Sequence, residues 1–276
     1  MSFGEREMQP SPTAEENAGQ DILYEARDGI ALVTFNRPQA RNAFTFAMYE
    51  RLAEICAAVD ADRSIRAMIL TGAGGKAFAA GTDISQFRAF DTPEDALGYE
   101  ARIDRVLGAV EQCRVPTIAA IAGACTGGGA AIAGSCDLRI ATANTKFGFP
   151  IARTLGNCLS MSNYARFTAL IGAARVKDLI FTARLVEAEE AHAIGLVNEV
   201  VDGPEALMVR AQELAKTVAG HAPLTLQATK QALLRLRATI PRGEGDDLIV
   251  MCYMSRDFRE GMEAFLNKRP PTFAGE

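Results

Sequence analysis

Thr117-Ile118-Ala119-Ala120-Ile121-Ala122-Gly123-Ala124-Cys125-Thr126-Gly127-Gly128-Gly129 is followed by a run of small residues that ends at Ser135. Residues 117–121 show no polar alternation, which is the mark of a strand buried on both faces. The glycine-rich turn over 123–129 then opens a short helix of small residues over 129–135. Three consecutive glycines let a backbone approach a ligand closely, and the first N–H groups of the helix behind them have no intrahelical acceptor. Such a place suits a developing oxyanion. The bland alternative is close helix–strand packing.

Upstream, a short apolar segment at 78–80 runs into Gly81-Thr82-Asp83, a second small-residue loop after a strand. Two such loops in one α/β core, each offering an N–H, make an oxyanion hole. Before them, residues 22–26 and 30–35 alternate around Asp28-Gly29, a hairpin signal. Asn36-Arg37-Pro38 is a turn. Residues 47–60 carry Met48, Leu52, Ile55, Cys56 and Val59 on one helical face. Residues 67–71 form a buried strand, and 93–113 a long helix with Asp91 or Thr92 as N-cap and Pro93 at its first position. Downstream, 138–142 and 146–149 are strands. After Pro150 the pattern turns helical, over 160–171, 174–182, 187–194, 204–220, 222–240 and 244–267, broken by a strand-like stretch at 196–201.

Composition narrows the function. The chain has 276 residues, 49% hydrophobic and 23% charged, enough to bury a sizeable core. A net charge of −5 argues against nucleic-acid binding, which starts from clustered positive charge. No apolar run approaches the ~18 residues of a membrane span. Two histidines, His192 and His221, leave little for zinc sites or histidine triads, so no metal is expected. His192 reads as a surface residue. The six cysteines include no C-x-x-C pair and read as reduced thiols of a cytoplasmic protein. Residues 1–20 are rich in Glu, lack an apolar stretch and read as a disordered tail. Gly72-Ala73-Gly74-Gly75-Lys76-Ala77 fits G-x-G-x-x-A, but the residues behind it do not open a helix, so it is not a dinucleotide loop. It is not a P-loop either, because the glycine spacing is too short and Ala77 replaces Ser/Thr.

Taken together these segments resemble the crotonase superfamily, the enoyl-CoA hydratase/isomerase family. Asn36-Arg37-Pro38 with Arg41-Asn42-Ala43 is similar to its opening signature. Lys76 through Ile84 resembles its first oxyanion loop, and Pro116–Ile121 with Gly123, Gly127-Gly128-Gly129 and Cys136-Asp137 its second. Gly195-Leu196-Val197 and Phe258-Arg259-Glu260-Gly261 with Lys268-Arg269-Pro270 and Phe273 resemble its later stretches. The matches run in order from about 22 to 273. The resemblance implies an α/β fold, a crotonase-like spiral of β-β-α units over 21–200, with a C-terminal helical oligomerisation region over 201–276. It implies homotrimers or dimers of trimers, an acyl-CoA substrate with coenzyme A as part of the thioester, and no permanently bound cofactor. By position, Thr82 and Gly128 would supply the oxyanion N–H groups. Ala40 and Arg41 would touch the CoA moiety, Ala80, Asp83 and Ile84 would line it, and Lys268 would meet its phosphates.

The chain also departs from the family. The hydratases add water with two glutamates, and here those seats hold Ala131 and, after Pro150, Ile151, or Ala152 with a one-residue insertion in the loop. None of these transfers a proton, whereas water addition needs a base for water and an acid for Cα. Gly127, Ala131, Pro150 and Ile151 are then expected only to line the acyl group. Glu100, with Tyr99 and Asp104 on the helix after the first loop, is the candidate displaced acid/base; the alternative is a solvated helix charge. Arg153 is the candidate partner for a carboxylate on the acyl group, or else a structural ion pair. The expectation is an enolate-stabilising acyl-CoA enzyme without two-glutamate hydration. Its rivals are a hydratase with displaced acid/base groups and a catalytically silent acyl-CoA-binding or assembly subunit.

Overall fold

Asp28 and Gly29 both take positive φ, as a two-residue hairpin turn requires, and they join β1 (Ile22–Arg27) antiparallel to β2 (Ile30–Phe35). The computed structural model describes residues 20–237 and 245–274. The expected tail therefore lies outside the described residues except for Gln20, as do the end of the helix expected over 222–240 and Glu244.

Helix α1 (Phe46–Ala61) starts at Thr45, whose hydroxyl accepts from the Met48 N–H, and buries Met48, Tyr49, Leu52, Ile55, Cys56 and Val59. It returns the chain to β3 (Ala67–Gly72), parallel to β2, and β4 (Ala77–Ala79) follows in a second sheet. Helix α2 (Pro93–Gln112) resolves its cap to Thr92, which forms a capping box with Asp95 ahead of Pro93. The next turn gives β5 (Thr117–Ile121), β6 (Ala124–Thr126) and α3 (Gly128–Ser135), and the next β7 (Leu138–Thr142), β8 (Lys146–Gly148) and α4 (Ile151–Thr154). Helices α5 (Met161–Ile171) and α6 (Ala173–Thr182), strand β9 (Val186–Glu187), helix α7 (Ala188–Ala193), strand β10 (Glu199–Val201) and helix α8 (Pro204–Ala219) complete the core.

The first sheet runs β1-β2-β3-β5-β7-β10 and the second β4-β6-β8-β9. Each turn of the spiral adds one strand to each sheet, so strand–strand–helix units stack side by side. The middle of the first sheet is buried on both faces. Met68 and Leu70 enter the main core, while Ala67 and Ile69 meet Leu207, Ala211 and Ala215 of α8. Two-sided burial at period two is why β3 and β5 read as continuous apolar runs. Phe35 anchors the main core edge-on to Phe44 and Phe78, with centroids 4.7 and 5.1 Å away.

Several short elements differ from the sequence reading, among them α4, β9 and the break between α10 (Asp246–Tyr253) and α11 (Arg256–Leu266). The stretch over 123–129 is not only a turn, because its middle is β6, paired with β4 and β8. Three residues are too few for a periodic signal, so tertiary pairing alone makes this strand. Residues Ile84–Ala89 form a 3-10 helix capped by Asp83, which the sequence had left unassigned. Gly123 joins the two sheets at φ +67, and a methyl there would fall 2.1 Å from the Lys76 carbonyl oxygen. Gly123→Ala is expected to cost about 3 kcal/mol or more, through strain and a backbone clash that no rotamer relieves. A urea melt against wild type checks this.

Helix α9 (Pro223–Arg237) buries no residue, and Leu224, Leu233 and Leu236 are exposed on it. By contrast, α10 (Asp246–Tyr253) and α11 (Arg256–Leu266) fold back on the chain itself. Ile249, Tyr253, Phe258 and Met262 pack with Ile84, Phe87, Ala96 and Leu155. The helical C-terminus thus roofs the segment that follows the first glycine loop.

Candidate functional site

The two glycine loops meet backbone to backbone. At the end of β4 the Ala80 N–H donates to the Arg41 carbonyl at 3.1 Å. The Phe44 N–H donates to the Gly81 carbonyl and the Asp83 N–H to the Phe44 carbonyl, both at 2.8 Å, which leaves the Thr82 N–H out of this bridge. Gly81 has φ +107, and a methyl there would approach the Gly127 Cα and Gly128 N at 3.9 Å. On the other side the Gly127 N–H donates to the Gly148 carbonyl at 3.0 Å, and Gly128 is the first residue of α3. Its N–H is one of the helix's unpaired donors. The Thr82 and Gly128 N–H groups therefore belong to adjoining loops.

Polar side chains hold this junction. Buried Asn42 accepts from the Arg37 N–H at 3.0 Å and donates to the Ala73 and Ala77 carbonyls at 3.0 and 2.7 Å. It ties the Pro38–Arg41 loop to β4. Asp83 caps the 3-10 helix and pairs with Arg37 at 3.3 Å, and its hydrogen bonds from Ser85 and Arg37 outweigh burial to hold its carboxyl below the usual range. Thr82 Oγ1 lies 2.9 Å from the Tyr49 hydroxyl and 2.8 Å from that of Tyr99.

Glu100 is not a solvated helix charge. It is 6% exposed, and the Tyr253 hydroxyl donates to its Oε1 at 2.5 Å. Burial raises its pKa to about 8, the Tyr253 hydrogen bond opposes the rise, and Asp104 adds to it. Asn157 donates to the Tyr253 hydroxyl at 3.1 Å, while its Oδ1 is buried with no partner among the described residues.

Other candidates lie apart from this cluster or are apolar. Ala131 is buried on α3 and Ile151 on α4, where Pro150 is the N-cap. Arg153 is exposed on α4, and His192 is exposed on α7. Arg41, at φ +50, and Lys268, at φ +54, are exposed, Ala40 is half-buried, and Ile84 is packed beneath α10 and α11. Sequence reading missed Tyr49, which lies on the apolar face of α1, and Tyr253, which is 153 positions from its partner. No spacing rule connects either to the site. Among the described residues, no group of three or more His, Cys, Asp or Glu is placed to hold a metal, and no helix is long and apolar enough to cross a membrane.

A two-sheet β-β-α spiral with its glycine loops brought together at a helix N-terminus defines an enzyme of the crotonase superfamily. Residues 25–276 match the enoyl-CoA hydratase/isomerase family, and the chain belongs to it. It is 36% identical over 254 residues to a short-chain-enoyl-CoA hydratase of Clostridium acetobutylicum, spanning 90% of this chain and 95% of that one. A crystal structure of an enoyl-CoA hydratase/carnithine racemase from Magnetospirillum magneticum superposes with TM-score 0.75 at 36% identity, over 93% and 96% of the two chains. A methylmalonyl-CoA decarboxylase in complex with 2-nitronate-propionyl-CoA superposes with TM-score 0.84 at 28% identity, over 93% and 99%.

Proposed function

We propose that this enzyme binds an acyl-CoA thioester across the two glycine loops, stabilises its enolate there, and moves one proton with Glu100. The observation that carries the reading is a buried carboxyl, its pKa raised to about 8 by burial, next in the chain to Tyr99, whose hydroxyl lies 2.8 Å from Thr82 Oγ1 at the glycine loops. The thioester oxygen would accept from the Thr82 and Gly128 N–H groups as charge develops on it. One such donor is worth roughly 3 kcal/mol in acyl-transfer enzymes. With a carboxylate on Cα, the Cα–carboxylate bond would break, CO2 would leave and its bonding pair would form the enolate, and Glu100, protonated at neutral pH, would deliver its proton to Cα.

Gly127, Ala131, Pro150 and Ile151 would line the acyl group, and Arg153 would reach a carboxylate on a substituted one. Ala40, Arg41, Ala80, Asp83, Ile84 and Lys268 would serve the CoA moiety, with no separate cofactor. Exposed α9 is the face offered for a homotrimer or dimer of trimers, in a cytoplasmic protein.

Ordinary hydration does not follow from this arrangement, because one carboxyl cannot both activate water and protonate Cα in a single step. Wild-type protein is expected to hydrate crotonyl-CoA at least a hundredfold more slowly than a two-glutamate hydratase, about one lost acid/base contribution. The double variant Ala131→Glu/Ile151→Glu is expected to gain activity. Loss of crotonyl-CoA absorbance measures both. Wild-type turnover at the level of an ordinary hydratase would instead support the reading that the hydratase relatives favour, hydration through displaced groups.

A further inference from the structure

Two of the six cysteines stand apart from the rest. Cys56, Cys113, Cys125 and Cys136 are buried, and burial raises the pKa of each thiol. Cys158 and Cys252 are half-buried, one in the loop between α4 and α5 and the other on α10.

The fold brings these two together. Cys158 Sγ lies 3.5 Å from the Leu248 carbonyl oxygen, one turn of α10 before Cys252. Helix residues four apart share a face, and their side chains lean toward the N-terminus, so the Cys252 side chain projects toward the same spot. There the two thiols are in hydrogen-bond contact with each other. Their chain neighbours are joined as well, since Asn157 donates to the Tyr253 hydroxyl at 3.1 Å. Loop and helix thus meet through two adjacent residues on each side.

The two sulfurs are not equivalent. The Cys158 proton faces two acceptors, the Cys252 sulfur and the Leu248 oxygen. Its contact with Cys252, and then burial, push the Cys158 pKa up. The same contact lowers the pKa of Cys252, against the opposing effect of burial. The thiolate, not the thiol, is the nucleophile. A solvent-accessible cysteine of lowered pKa with a second thiol beside it is the arrangement of a redox sensor.

We propose that Cys252 and Cys158 form a reversible oxidation site, in which Cys252 reacts with hydrogen peroxide and Cys158 closes a disulfide that fastens α10 to the loop before α5. The Cys252 sulfur bonds to one peroxide oxygen, the O–O bond breaks, and the other oxygen leaves as hydroxide, which takes up the proton that the thiol released. Cys158 then gives up its proton, its sulfur attacks the Cys252 sulfur, and the S–O bond breaks to release a second water. Two thiols lose two electrons and one peroxide becomes two waters. Closure brings the sulfurs to about 2.05 Å. In a reducing compartment such a bond is transient. While it lasts it holds the helix that carries Tyr253 onto Glu100.

Peptide mapping by mass spectrometry tests the site in the full-length protein, treated with hydrogen peroxide while folded and then alkylated in urea. A linked Cys158–Cys252 peptide is expected, reversed by dithiothreitol, with the four buried cysteines alkylated as free thiols. Before peroxide, Cys252 is expected to react with iodoacetamide roughly tenfold faster than Cys158 at neutral pH. Cys158→Ser is expected to leave Cys252 as a sulfenic acid that dimedone traps, and Cys252→Ser to leave Cys158 reduced. Hydrogen exchange of the α10 amides is expected to slow by about tenfold on oxidation. Absence of the linked peptide from the folded wild type overturns the site. Equal alkylation rates overturn Cys252 as the attacking sulfur, and unchanged exchange overturns the fastening of α10.

Discussion

Gly128→Ala is expected to cut turnover of the enzyme's acyl-CoA substrate by a factor of about 10² to 10³, the usual cost of losing one oxyanion donor. The added methyl would fall 2.1 Å from the Tyr49 hydroxyl and 3.4 Å from its ring carbon. Tyr49 is fully buried between α1 and Phe44, with ring centroids 4.9 Å apart, so it cannot swing out into solvent. Either Tyr49 moves and releases Thr82, or the start of α3 retreats from Gly81. Both outcomes separate the two N–H groups that the proposed oxyanion hole would converge on one oxygen, and misplacement by an ångström is enough to lose a large factor. Gly98 provides the contrast. It is exposed on the outer face of α2 with nothing within 4 Å of an added methyl, so Gly98→Ala is expected to keep wild-type turnover and gain about 0.5–1 kcal/mol of stability. Steady-state kinetics and a melt on both variants check the pair, and full activity in Gly128→Ala would sink the assignment of this helix start.

Glu100→Gln is expected to lower kcat by about 10² to 10⁴ while leaving the fold intact, because the amide keeps an oxygen for the Tyr253 hydroxyl but has no proton to deliver. The pH dependence separates a proton carrier from a structural residue. With the folded pKa raised to about 8, the general acid is present below that value and lost above it. Wild-type activity should fall as pH passes through about 8, and the limb should vanish in the variant.

Stability gives an independent reading of the same group. Between the ordinary value of 4.5 and about 8 the folded chain holds a proton that the unfolded chain has released. Stability therefore falls across this window as pH rises, and levels off above it. Glu100→Gln removes that slope and is expected to be the more stable protein at pH 8.5, by a few kcal/mol at most, with little difference at pH 4.5. Urea melts at the two pH values measure it. Wild-type kcat in the variant would remove Glu100 from the mechanism, and parallel stability curves would remove its burial as the cause.

The spiral was legible because its signals are local. Buried strands such as Ala67–Gly72 and Thr117–Ile121 announce themselves by unbroken apolar runs, α1 by its one-sided apolar face, and α2 by a cap at Asp91 or Thr92 ahead of Pro93. The glycines of both loops were visible for the same reason, since only a residue without Cβ fits where backbones touch. The side chains around them were harder to read. Glu100 follows Tyr99 on a charged helix, and nothing near it in sequence says that Tyr253 arrives to bury it.

The longer strands and helices, the two glycine loops and the apolar residues at positions 131 and 151 were thus settled by the sequence alone, because each depends on neighbours a few residues away. The meeting of Thr82 with Tyr49 and Tyr99, and of Glu100 with Tyr253, was decided only by the tertiary structure. Those contacts join residues 17 to 153 positions apart, and burial and hydrogen-bond geometry act across space without leaving a periodic mark in the chain.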